Sequence, residues 1–243
     1  MGGWFRATAG QTDPVTARVQ QAVAARIPGA AALGLVPPPG AEAVPASRLA
    51  DREWTAAVVR GRGGDARVAA TVWWYSASAV LLSPPLAGLV AGQPLSARLA
   101  DTALWLSPAG LPVAAVSSAP AGDLGAELRG SLGAVVAAVA SAAGMRPRPL
   151  WAIATDSLAN GLLALGRAVG DVPGATALAG RVAAAVGPPL PAPRYEDVRG
   201  RRFTRRASCC LVDRLPGGSL CTSCPRRPPA ERRRLLAAVA VRS

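Results

Sequence analysis

The residues most able to do chemistry are four cysteines, Cys209, Cys210, Cys221 and Cys224, in the segment CCLVDRLPGGSLCTSCP. They are the only cysteines of a chain that contains no histidine. Sulfur gathered in this way serves disulfides, a structural zinc or an iron–sulfur cluster. The spacing is C-C-x10-C-x2-C. A CxxC pair puts two thiolates on one turn of chain, where both reach one metal. The intervening Leu215-Pro216-Gly217-Gly218 has the turn chemistry to fold Cys209 and Cys210 back towards that pair. The vicinal pair is harder to use, because neighbouring side chains of extended backbone point to opposite faces. The backbone must therefore bend there. A binuclear centre relaxes the demand by offering ligand positions on two irons. A zinc ribbon supplies its ligands as two spaced pairs, and the common ferredoxin spacings differ too. On the residues alone, zinc and [2Fe–2S] both stay open, with disulfides and free thiols behind them.

Absences narrow the field further. Without histidine there is no Ser–His–Asp or Cys–His nucleophile, no His-ligated zinc or haem, and no Rieske centre. Without lysine there is no GxxxxGK[ST] phosphate loop. GRGGDA at 61–66 reads as a loop. Asp51 and Glu53 stand too close in sequence to share a helical face as an acid/base pair. Asp156 and Asn160 have i, i+4 spacing and read as solvated surface or a local hydrogen bond. Trp73, Trp74 and Trp151 read as core residues.

All 27 basic residues are arginine, and the net charge is +13. Residues 194–243 carry 13 Arg against 4 acidic residues, whereas residues 1–193 carry 14 against 10. The basic field thus belongs to the cysteine-bearing tail and attracts anions. The N-terminus lacks the basic-then-apolar layout of a signal peptide, so the expected compartment is the reducing cytosol, where structural disulfides rarely persist. Val68–Leu82, the longest apolar stretch, stops at SPP, short of the ~20 residues of a bilayer span. It reads as a buried helix over 66–82.

These patterns predict a mostly α (α+β) fold. A helical body with a short antiparallel β-hairpin spans 1–193, read as the partner- or substrate-binding region, and a small basic metal module spans 194–243. Helices are expected over 14–28, over 46–61 with Ser47 as cap, and over 123–143, 150–169 and 174–186. Segments 98–106 and 111–118 flank Ser-Pro-Ala-Gly and read as the hairpin. GLVPPPGAEAVP and GPPLPAPRYEDVRG read as linkers, and PPAERRRLLAAVAV as a last helix.

The stretch RRASCCLVDRLPGGSLCTSCP resembles the C-terminal iron–sulfur motif of the FhuF-type ferric-siderophore reductases. It shares basic residues before the pair, Cys-Cys-Leu, an Arg four residues past the second Cys, a Gly-containing loop and CxxCP. Leu150–Trp151, ahead of the last helices, adds a weaker likeness. The resemblance implies that Cys209, Cys210, Cys221 and Cys224 ligate one [2Fe–2S] cluster, an anion that gains a further negative charge on reduction. Arg205, Arg206 and Arg214 would then stabilise the reduced form and raise its potential, or serve in docking. Asp213 departs from the pattern, putting a carboxylate near the cluster.

The implied activity is one-electron reduction of Fe(III) in a ferric siderophore, releasing Fe(II) in the cytosol. A ferredoxin or reduced flavin would be the donor, with peripheral contact to a membrane transporter at the inner face of the membrane and no nucleic acid. The rivals are a zinc-stapled basic nucleic-acid-binding module and a siderophore-binding or sensing protein with a non-catalytic cluster. The vicinal cysteines and the scarcity of stacking aromatics weigh against the first.

Overall fold

The computed structural model describes residues 17–242. It is mostly helical, as the periodicity predicts, with two small antiparallel sheets. Helix α1 (Ala17–Ala24) buries Val23 and, just past its end, Ile27; Pro14 and Val15, expected at its start, lie outside the described residues. Gln20 of α1 is buried as well. It donates to the carbonyls of Leu35 and Ala115 and accepts from Ser117 N–H, so a polar side chain ties this helix to the sheet.

The expected hairpin forms as β2 (Thr102–Leu106) and β3 (Pro112–Ser117), but it has a third strand. That strand, β1 (Glu42–Pro45), comes from the Pro- and Gly-rich segment expected to be a linker and pairs antiparallel with β2, Val44 opposite Leu104. Its identity as a strand rests on a partner some sixty residues away. Local composition does not carry that information.

Helix α2 (Arg52–Gly61) is capped by Asp51, whose carboxylate accepts from Glu53 and Trp54 N–H. Ser47, the expected cap, lies instead in a 3-10 turn, Ala46–Ala50. Helix α3 (Ala66–Val90) starts at a second Asp cap, Asp65, after the glycine-rich loop. It does not stop at Ser83-Pro84-Pro85 but runs through both prolines. Each proline deletes one helical hydrogen bond. Both are nonetheless buried, along with Leu81, Leu82 and Leu86, and this packing sustains the helix.

Helices α4 (Leu124–Ala142), α5 (Pro147–Val169) and α6 (Val172–Val186) lie close to their expected spans. Asp123 and Asp171 cap α4 and α6, and Pro147 opens α5. By length and composition α4 is long and apolar enough to cross a membrane. Here its Leu128, Leu132, Val135, Val136 and Val139 are core residues.

The α3–α5 contact is the spine of the molecule. Trp73, Trp74 and Trp151 are buried, as expected. Trp74 Nε1 donates to Leu150 O at 2.9 Å, and Ser78 Oγ lies 2.7 Å from Ser157 Oγ. Gly161 makes the approach possible, since a Cβ there would sit 2.8 Å from Leu86 Cδ1.

The second expected linker also contains a strand. β4 (Tyr195–Val198) and β5 (Arg201–Thr204) form a hairpin around Arg199-Gly200, both at positive φ, as a two-residue primed turn requires. Val198 and Phe203 form a small second core with Leu236 of helix α7 (Pro229–Arg242). The hairpin is fastened to the body by polar bonds. Arg167 Nη2 donates to Arg202 O, Arg202 Nη1 to Thr176 Oγ1, and Tyr195 OH to Ala159 O.

Candidate metal centre

The β4–β5 hairpin follows α6 and delivers the chain into the cysteine segment, and Arg206, two residues past β5, sets the geometry. Arg206 is buried at 8 % exposure, unusual for arginine, and its side chain organises three groups. Nε meets Asp156 Oδ2 of α5 at 3.3 Å, with both side chains under 5 % exposed. Nη1 points between two sulfurs, 3.7 Å from Cys210 Sγ and 3.4 Å from Cys221 Sγ. The guanidinium also lies over the Tyr75 ring of α3, 4.9 Å from its centroid, at cation–π range. Burial opposes the charge on Arg206, but Tyr75, Cys210 and Asp156 outweigh it, so the guanidinium holds its proton more tightly than usual.

Asp156 is the residue that sequence reasoning misplaced. It is not solvated surface and its bonds are not local. It is 1 % exposed and binds the chain fifty residues on. Besides Arg206, it accepts from Ala207 N–H at 2.7 Å, Ser208 N–H at 3.0 Å and Ser208 Oγ at 2.5 Å. The carboxylate thereby saturates its acceptor capacity on the three residues just before Cys209. Asn160, one turn further along α5, is half-buried. An acidic residue in an otherwise apolar run of α5 was the one available signal, because such a residue is rarely buried unless paired.

The sulfurs come as two pairs. Cys209 Sγ and Cys224 Sγ are 4.0 Å apart, and Cys221 hydrogen-bonds Cys210. All four thiols are free of disulfides. Among the described residues, no three His, Cys, Asp or Glu side chains converge on a single ion. Just past the vicinal pair the backbone turns at Leu211, which adopts left-handed φ 56°, ψ 16°. Cys209 stands beside Cys224, and Cys210 beside Cys221. A 3-10 turn (Val212–Arg214) follows, and Gly218 N–H closes the loop on Leu215 O. Gly218 allows the closure because a Cβ would collide with Val212 O. The CxxC pair sits on one turn, with Cys224 N–H bonded to Cys221 O. Arg227 binds the Leu220 and Cys221 carbonyls and pairs with Glu231 of α7, anchoring that turn.

The other expected arginines lie elsewhere. Arg205 is exposed, and only its backbone N–H, bonded to Arg194 O, takes part in the local structure. The exposed Arg214 faces Asp213 at 3.8 Å. Arg226 reaches the sulfurs instead. Its Nη1 lies 3.7 Å from Cys209 Sγ and 2.8 and 3.0 Å from the two Asp213 oxygens. The carboxylate of Asp213 is thus matched by a cation that bridges it to a cysteine.

Electrostatics favour thiolate at one member of the inner pair, Cys210. Cys210 is pulled below its ordinary pKa by the hydrogen bond from Cys221, against burial, with help from the Val212 N–H and Arg206. Cys221, which gives that hydrogen bond, is raised.

The donor set fits a [2Fe–2S] cluster on three observations. The donors are soft thiols, which suit iron–sulfur clusters. They form two pairs, as two irons with two thiolates each require. Arg206 Nη2, on the guanidinium whose Nη1 faces the inner pair, is buried with no acceptor among the described residues, a donor that an anionic sulfur centre would satisfy.

No curated protein and no solved structure matches the chain. A family model does match locally, over residues 206–226, less than a tenth of the chain but inclusive of all four cysteines, Arg206 and Arg226. The cysteine segment, from Arg206 to Arg226, is similar to the FhuF 2Fe-2S C-terminal domain.

Proposed function

We propose that the protein is a cytosolic ferric-siderophore reductase. Residues 194–243 would carry a [2Fe–2S] cluster on Cys209, Cys210, Cys221 and Cys224, and residues 1–193 would receive the substrate. One observation supports this above the others: a buried Arg206, held by Asp156, reaches toward the paired sulfurs of a segment matched by a 2Fe-2S family model. A [2Fe–2S] cluster held by these four thiolates would supply one-electron transfer there. A one-electron donor such as a reduced ferredoxin or flavin is oxidised, and chelated Fe(III) is reduced to Fe(II). Hydroxamate or catecholate oxygens hold Fe(II) far less tightly, so the iron leaves without cleavage of the chelator.

The chain's own residues have modest tasks in this scheme. Arg206 and Arg226 donate to sulfur and offset the negative charge gained on reduction. Tyr75 and Asp156 fix Arg206 from two helices of the body. No proton transfer is needed, in keeping with a chain that contains no histidine.

Anaerobic purification tests the reading. The protein should be red-brown, contain about two iron and two sulfide per chain, and give an electron paramagnetic signal only after reduction. Mixed with ferric siderophore, the reduced protein should be reoxidised and Fe(II) should appear. A colourless protein with one zinc would overturn the cluster. A loaded protein indifferent to every hydroxamate and catecholate chelate would overturn the activity.

A further inference from the structure

A cleft of about 1430 Å³ opens between α2, α3, the β2–β3 turn and the cysteine loop. It exceeds the ~300–1,000 Å³ of ordinary small-molecule pockets and suits a bulky ligand. Trp54, Val58 and Val72 give it an apolar wall, and Trp54 stacks edge-on against the buried Trp73 at 6.2 Å, which holds its ring in place. Arg60 and Arg62 enter from the end of α2. Neither has a carboxylate partner among the described residues. Arg62 is partly buried, and that burial alone works against its charge. Such a cation is stabilised by an incoming anion. Two carboxylates also line the cleft, Glu42 and Asp65, but Asp65 is occupied as the cap of α3.

The remaining wall comes from the cysteine loop. Arg214 and Leu215, between Cys210 and Cys221, both line the cleft. Ser76 of α3 lines it too, and the adjacent Tyr75 carries Arg206 on its ring. A ligand in the cleft would therefore touch the loop that holds the sulfurs and the helix that positions Arg206. Arg214, which does not reach a sulfur, acquires a role here, as does the exposed Leu215.

We propose that this cleft seats the ferric chelate and selects chelates of net negative charge, of the tris-catecholate type. The apolar wall would take the aromatic faces of the ligand, and Arg60, Arg62 and Arg214 would meet its charge. This inference rests on the reductase reading for the identity of its ligand, so its test is made independent of electron transfer.

The probe is a gallium(III) tris-catecholate, which has the shape and charge of the ferric complex but accepts no electron. Titrated into the loaded full-length protein, it should quench tryptophan fluorescence saturably and bind at least tenfold more tightly than a neutral gallium(III) trihydroxamate. Arg60→Glu/Arg62→Glu should weaken binding at least tenfold with unchanged melting temperature and visible spectrum. Arg62→Lys, which keeps the charge, should lose much less. Equal affinity for both chelates, or undiminished binding by the Glu variant, overturns the proposal even if the wild-type protein reduces ferric chelates. A protein without a cluster that still binds the anionic gallium complex through these arginines would overturn the reductase reading and leave the cleft standing.

Discussion

Asp156 offers the sharpest test of how the body holds the cysteine segment. Asp156→Ala deletes a carboxylate that is 1 % exposed and accepts four hydrogen bonds, from Arg206, two backbone N–H groups and the Ser208 hydroxyl. Removing one partner of a buried ion pair costs ~3–5 kcal/mol. The orphaned N–H groups add to this, at ~1–3 kcal/mol each when left buried, but they overlap with the same loss. A working value is therefore about 4 kcal/mol. For a chain of this size ~1 kcal/mol corresponds to roughly 2–4 °C, so the melting temperature of metal-free protein should fall by about 8–16 °C. Asp156→Asn keeps the volume and one acceptor oxygen and should lose about half as much. The thermal melt is to be paired with the rate of iron release to a strong chelator, which should rise in both variants. In a double-mutant cycle with Arg206→Ala the pair should couple by at least ~1 kcal/mol. A loss below ~1 kcal/mol for Asp156→Ala, with unchanged iron release, would refute the reasoning, because it would mean that the carboxylate positions nothing.

Three further outcomes follow from the same geometry. At Leu211, whose φ is 56°, a β-branched Val should destabilise by ~1–2 kcal/mol in urea unfolding, while Gly should match or exceed Leu; a Val variant as stable as wild type would contradict the strain argument. Asp213→Asn leaves Arg226 unopposed beside Cys209, so spectroelectrochemical titration should show the midpoint potential rising by something on the order of tens of millivolts, and a fall would be inconsistent with this charge arrangement. Burial raises the Tyr195 pKa to about 12, against the effect of Arg202, while the unfolded phenol titrates near ~10. The folded state thus keeps a proton that the unfolded chain has lost. Its stabilisation is complete below pH ~10 and is lost as pH rises towards about 12. Tyr195→Phe should remove that alkaline slope from the stability profile, and an unchanged slope would show that another group causes it.

The elements that were legible from the sequence are those whose cause is local. Helices α4, α5 and α6 follow from apolar spacing and breaks at Gly and Pro, and the CxxC turn from its own two-residue gap. The cysteine spacing also carried the chemistry, since four thiols in one short segment without histidine leave few options. Strands β1 and β4 were hidden in Pro-rich segments, and β5 just beyond the second, because a strand is defined by its partner. Helix α3 outran its prolines because tertiary burial outweighed a local breaker. The site shows the same division most clearly. The sequence by itself singled out the four thiols that are candidates to bind a metal centre. Only the tertiary structure decided that Arg206 rather than Arg205 or Arg214 reaches the inner sulfurs, that Arg226 reaches Cys209, and that Asp156 holds the segment from α5. Which charges meet, and how little water surrounds them, depends on long-range packing that spacing along the chain does not encode.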